Sequence, residues 1–190
     1  TAVAAPVATD QSPFDVAFDP AGKFVLVSHL DTNDLGTFAF NSSTGALTPV
    51  ALMSGRTGPG PLALINASPQ LHNPIQYVAR NLYVADTGTP TGSPTLSALK
   101  INAQTGALTG TVSDYNTGGS QATAVATNLE GTLVYTANLW TNNIGGFSVD
   151  LKSGALTTIA GSPFTASNPY GIGIDPSSRF FYAADYNTGL

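Results

Sequence analysis

The chain has 190 residues, 42% hydrophobic and only 9% charged, with six Lys plus Arg against eleven Asp plus Glu and a net charge of -5. Its mean hydropathy of +0.11 and pI near 4.5 suit one globular domain with a substantial core. They leave no basic stripe to follow a phosphate backbone or hold an anionic membrane, so nucleic acid is not an expected partner. No run of 18 apolar residues occurs, so membrane insertion is not expected. The absence of cysteine removes disulfides, thiolate zinc sites and cysteine nucleophiles.

In chain order, "TAVAAPVATDQSPF" aligns with "LTTIAGSPF" further on, which predicts residues 1–11 as the outer strand of a split unit. This start lacks the charged and apolar regions of a signal peptide, so the chain is expected to begin after any such segment. Few lysines and many Thr, Asn and Gly suggest export, to the extracellular space, the cell surface or the periplasm. Sequons stand at Asn41 and Asn66 and matter only in a eukaryotic secretory pathway.

A unit over 12–61 follows. "DVAFDPAGKFVLVSH" reads as an apolar strand, a turn and a β-branched strand, and "GTFAFN" alternates at period 2 before the turn "TGALT" and a partner strand "ALTPVAL". The same order returns over 62–121, with extra residues after its first strand, and over 122–169. The opening pair alone returns over 170–190, in "GIGIDPSSRFFYAAD". The turn glycines Gly45, Gly106 and Gly154 are 61 and 48 residues apart. Glycine is expected there because it adopts positive φ at little cost.

A repeat of about 40 to 50 residues with four strands and no helical periodicity predicts an all-β fold, a β-propeller of four-stranded antiparallel blades. About three full blades and two partial ones are expected. The segments "SPFDVAFDPAGKFVLVSHLDTNDLGTFAFNSSTGALTPV" and "GSPFTASNPYGIGIDPSSRFFYAADYNTG" resemble repeats of the seven-bladed lactonase-like propellers, the group of the propeller-type 6-phosphogluconolactonases. The resemblance covers almost the whole chain but rests on scaffold motifs, so it implies a fold and raises lactone hydrolysis without marking catalytic residues. Open blade edges imply a continuation of the propeller, self-association, or closure of a four-bladed ring.

The second strands of the units end at His29, Asp86, Asn138 and Asp185, which places polar groups at similar heights around a channel. His29, Asp86 and Asp185 are the candidate catalytic residues, able to bind a cation or polarise a lactone carbonyl, or else to cap strands and turns. Asn138 and Trp140 are candidate ligand-binding residues, Trp140 suiting either sugar stacking or packing between blades. In the insertion "QLHNPIQYVARN", His72 and Arg80 stand beside Tyr77, and Arg80 would hold an anion or pair with a carboxylate. "HLDTND" offers Asp31, Asn33 and Asp34 as oxygen ligands but lacks the Gly and distal Glu of a calcium loop. Phe14, Phe24, Phe164, Phe180 and Phe181 are expected in the core. No metal site or cofactor is predicted. The leading expectation is a binding or self-assembly module working through open blade edges, followed by a lactone hydrolase and then a carbohydrate-binding wall protein.

Overall fold

The computed structural model describes residues 5–66, 79–87 and 95–188. Among them no helix forms. The first sheet contains β1 (Pro13–Phe18), β2 (Phe24–His29), β3 (Asp34–Phe40) and β4 (Leu47–Ser54). The second contains β5 (Pro59–Asn66), β6 (Ala79–Asp86), β7 (Thr95–Ile101) and β8 (Leu108–Asn116). The third contains β9 (Ala122–Thr127), β10 (Leu133–Asn138), β11 (Asn143–Val149), β12 (Leu156–Thr158) and β13 (Phe164–Thr165), and a hairpin of β14 (Pro169–Ile174) and β15 (Phe181–Asp185) follows. Each sheet is an antiparallel meander in chain order, and β12 and β13 together form the split outer strand of the third by pairing with different parts of β11.

Strand β1 lies against β5, β5 against β9 and β9 against β14. The innermost strands therefore run side by side, with the sheets spreading from them as successive blades. This is a partial β-propeller of three four-stranded blades and a two-stranded one.

Period-2 patterning explains the stacking. In β6, Leu82 and Val84 enter a cluster with Leu26, Leu35, Leu62, Leu99 and Ile101 between the first two blades. Tyr83 and Ala85 face the other way, among Ile65, Ala98, Ala122, Val134 and Phe147. Both faces of the blade are apolar and both are covered. With each fully buried side chain worth about 1.5–3 kcal/mol, a blade gains its stability from its neighbours.

The repeated turn also serves this packing. Asn41, Asn102 and Asp150 each accept two backbone N–H bonds through Oδ1, from Ser43 and Thr44, Gln104 and Thr105, and Lys152 and Ser153. The backbone carbonyls of these three residues accept from Gly45, Gly106 and Gly154, each at 2.7 Å. Gly106, at φ +72°, lies so close to the Phe24 ring of the preceding blade that a Cβ would stand 2.6 Å from it. Gly154, at φ +82°, meets the Asn81 amide at the same distance. One glycine thus satisfies both a left-handed turn and a close approach between blades.

Two expectations differ from the structure. Residues 5–11 form no strand; instead Val7 packs against Val25, Val27 and Phe38 on the outer face of the first blade. Phe14 and Phe180 are exposed, Phe14 although its ring edge lies beside Gly60 of the second blade, whereas Phe24 is buried against that blade. Residues 67–78 of the insertion lie outside the described residues, and so do His72 and Tyr77.

Candidate functional site

At the end of each second strand the backbone repeats one device. The next residue donates its N–H to the carbonyl of the residue preceding the inner strand: Leu30 to Ser12, Thr87 to Gly58, Leu139 to Gln121 and Tyr186 to Asn168, at 2.9–3.0 Å. All four acceptors have positive φ, namely 54° at Ser12, 59° at Gly58, 53° at Gln121 and 37° at Asn168. This turns the connection between blades back over the strand end, so in the three full blades three polar groups meet at the junction: the end of the second strand, the start of the third and the connection leading into the inner strand or the next blade.

At the second junction Asp86 accepts from Thr95 Oγ1 at 2.7 Å and from Arg56 Nη2 at 2.9 Å. The Arg56 and Asp86 side chains are 9% and 6% exposed. Arg56 also bonds Ser97 Oγ, which bonds Asp114, and Arg56 lies 3.7 Å from that carboxylate. Burial pushes the Asp86 carboxyl above its ordinary value, against the opposing pull of Thr95 and Arg56. The third junction is uncharged: Asn138 Nδ2 donates to Asn143 Oδ1 at 2.8 Å and to the Thr117 carbonyl at 3.2 Å.

The first junction is different. His29 Nδ1 is 2.6 Å from Asp34 Oδ1, with side chains 1% and 5% exposed, and His29 Nε2 is buried without a hydrogen-bond partner. Gly36 leaves the ring its space, because a Cβ there would stand 3.1 Å from His29 Cε1. Asp10, exposed on the N-terminal segment, brings a carboxylate so that one ligand atom each of Asp10, His29 and Asp34 lie within 4.8 Å of one another. Alongside runs a groove of about 420 Å³, lined among others by Asp10, His29, Phe38, Val50 and Leu52. A basic nitrogen fixed by a carboxylate, beside a cavity, is an arrangement able to move a proton or hold a cation.

The candidate residues are therefore placed separately. His29, Asp86 and Asn138 hold equivalent positions but turn into three different junctions, because they share the side-chain parity of Val25 and Val27, which face away from the next blade. Asp185 joins none of them; its carboxylate accepts from the Thr188 and Asn187 backbone, and these bonds, led by that of Thr188, hold it below the usual range together with Ser167. Trp140 is 53% exposed beyond β10, its backbone N–H donating to Ser120. Arg80 lies in β6, its side chain outside the described residues. "HLDTND" forms no calcium loop: Asp31 accepts from Ser12, Asn33 Oδ1 accepts from the Gly58 N–H, and Asp34 holds His29.

Sequence reasoning passed over Arg56 and Asp10. The signal for both is positional: Arg56 stands two residues before Gly58 as Asp10 stands two before Ser12.

Residues 77–190, more than half of the chain, match the family model described as "Lactonase, 7-bladed beta-propeller". No match was found among curated proteins. Similar solved structures include a candidate 6-phosphogluconolactonase of Bacteroides fragilis, 22% identical with a TM-score of 0.71 over 87% of this chain. Others are the periplasmic gluconolactonase PpgL of Pseudomonas aeruginosa, 19% identical with a TM-score of 0.61 over 87% of this chain, and a protein of Lactobacillus plantarum, 20% identical with a TM-score of 0.62 over 84%. The chain spans 42%, 45% and 43% of those structures respectively, under half of each. At these identities the likeness establishes the fold.

Proposed function

We propose that this chain, which belongs to the lactonase family of seven-bladed β-propellers, contributes to hydrolysis of a lactone at the groove beside His29. The observation that carries the reading is the His29–Asp34 couple with its unpartnered Nε2. With Asp34 accepting the proton of Nδ1, Nε2 is the basic nitrogen. Water then attacks the lactone carbonyl, its proton passes to Nε2, the ring C–O bond breaks, and the imidazolium returns the proton to the departing oxygen, leaving a hydroxy acid. Among the described residues the groove lining contains Asp10 and no Lys or Arg, which favours an unphosphorylated sugar lactone over one carrying a phosphate. A panel of neutral and phosphorylated sugar lactones tests this with the full chain. The expected result is turnover of a neutral member, with kcat/KM falling about 10²–10⁴-fold in His29→Gln. Absence of turnover across the panel, or equal turnover by that variant, removes the reading.

A second reading, a binding or self-assembly module, is favoured by a different observation. Of the large apolar side chains that stand exposed, Val16 and Phe18 lie on the first blade, and Tyr170, Phe180, Tyr182 and Tyr186 lie on or beside the last hairpin. A further blade, supplied by a second copy, would cover such faces as the inner blades cover each other. Light scattering across a concentration series should show mass rising with concentration, and Phe18→Ser with Tyr182→Ser should suppress it. The same reading keeps the chain in an exported compartment, in line with its few lysines and its many Thr, Asn and Gly residues.

A further inference from the structure

We propose that the groove beside His29 selects a neutral lactone ring carrying an apolar group, such as a methyl, at the end remote from the carbonyl, with Leu52 setting this preference. The choice of a lactone rests on the hydrolysis proposed above. The repeat shows how the space arises. His29, Gly36 and Leu52 hold the places of Asp86, Ser97 and Asp114 in the second blade, since Gly36 pairs with Val27 and Leu52 as Ser97 pairs with Val84 and Asp114. In the second blade a side chain of the protein fills that space: Arg56 bonds Asp86 and Ser97 and lies 3.7 Å from Asp114. In the third blade Gly145, paired with Thr136, has the place of Gly36, and a Cβ on it would stand 2.3 Å from the Thr117 carbonyl, so backbone fills the space. In the first blade the same place opens as the groove of about 420 Å³.

Arg56 meets a polar group at each of the three positions. An occupant of the first blade meets one at the strand end only, where His29 is 1% exposed and its Nε2 is buried without a partner. Gly36 leaves the floor bare between two rings, because a Cβ there would stand 3.1 Å from His29 Cε1 and 3.1 Å from Phe38 Cε2. Leu52 replaces the carboxylate of Asp114, and Phe38, Pro49 and Val50 continue the apolar wall. A ring seated over Gly36 therefore has a hydrogen-bonding group at one end and hydrocarbon at the other. The reacting carbonyl and its attacking water belong at the first end, and a methyl belongs at the second. A hydroxyl set against Leu52 and Phe38 would give up water and find no partner in exchange.

Leu52 lies beyond the floor from His29 and carries no proton to transfer, so it acts on which ring is bound. Its effect is a ratio between two ligands, which a loss of fold would not move. The side chain is 56% exposed on the outer strand, so its substitution leaves the core in place.

The test gives the full chain two neutral sugar lactones that differ only in a terminal hydroxymethyl or methyl group, and measures by calorimetry the binding of the two corresponding lactams, which resist hydrolysis. The methyl lactone should be preferred about tenfold in kcat/KM, and its lactam should bind tighter by a similar factor. Leu52→Asn should bring both ratios to about one, while Leu129→Asn, in the turn after β9 and 73% exposed, should leave them unchanged. Equal handling of the two members by the parent overturns the proposal, as does a Leu52→Asn variant that keeps the preference. Turnover of both lactones without preference leaves the hydrolysis standing and sinks the selection. Absence of turnover with tighter binding of the methyl lactam sinks the hydrolysis and leaves the selection standing, and absence of both turnover and lactam binding sinks the two together.

Discussion

Tyr83 in β6 and Tyr182 in β15 hold one place in the repeat, three residues before Asp86 and Asp185. Tyr83 is 0% exposed and Tyr182 is 64% exposed. The Tyr83 ring lies in the cluster between the second and third blades, and its hydroxyl donates to the Gly154 carbonyl at 2.8 Å. In the third blade the equivalent Tyr135 stacks on Phe181 of the hairpin with ring centroids 4.9 Å apart. Beyond β15 the described residues hold no further blade, and the same side chain meets solvent. Burial here belongs to the neighbouring blade and not to the residue type, which is what a fold of stacked units implies.

The sharpest way to break that comparison is to truncate both tyrosines. Tyr83→Ala should cost about 3–5 kcal/mol, through lost ring contacts and a cavity that the packed blades cannot close. Tyr182→Ala should stay within about 0.5 kcal/mol. Urea midpoints measure both, and equal costs would mean that the inner and outer faces are packed alike.

Turn glycines extend the comparison at smaller scale. Gly22→Ala, at φ +66° with nothing within 4 Å of the added Cβ, should cost about 1–2 kcal/mol from backbone conformation alone. Gly106→Ala adds the clash with Phe24 and should cost about 1–3 kcal/mol more. Thermal unfolding of the two variants side by side checks the difference. If they unfold together, the turn does not press on the preceding blade.

The smallest expected effect is a slope in pH. Because burial raises Asp86 above its ordinary 3.8, the folded chain keeps this proton at a pH where the unfolded chain has released it. Its contribution to stability is complete below 3.8 and is lost as pH rises through the folded value. Asp86→Asn cannot titrate, so the variant should gain on the parent as pH rises through that window. Asp150, held low by the N–H groups of Ser153 and Lys152, has the opposite sign: its contribution is present above the ordinary value and lost as pH falls. Stability curves of both Asn variants against pH test the contrast, and parallel curves for Asp86→Asn and the parent would show that its carboxyl is not raised.

Much of the blade was legible because local rules produce it. "NSSTGALT" predicts its own turn, since Asn41 can accept from the N–H groups two and three residues on and Gly45 tolerates the left-handed conformation. The alternation in "GTFAFN" predicts β3. The candidate site was legible only in part. His29 stood out as a polar strand end, and Asp34 stood in the same short motif, but it was read as an oxygen ligand and not as the partner that fixes Nδ1. Arg56 and Asp10 carry no motif of their own. They matter because the connection between blades folds back over a strand end, and that contact joins Arg56 to Asp86, thirty residues apart in sequence.

By itself, then, the amino-acid order determined the strands, their turns and the number of repeats, because hydrogen bonds and side-chain alternation act over a few residues. Which faces are buried, which acids find a cation and which imidazole nitrogen is left without a partner were decided only when one blade came to lie against the next. Those outcomes depend on desolvation and charge supplied by residues remote in the chain, and no local pattern encodes them.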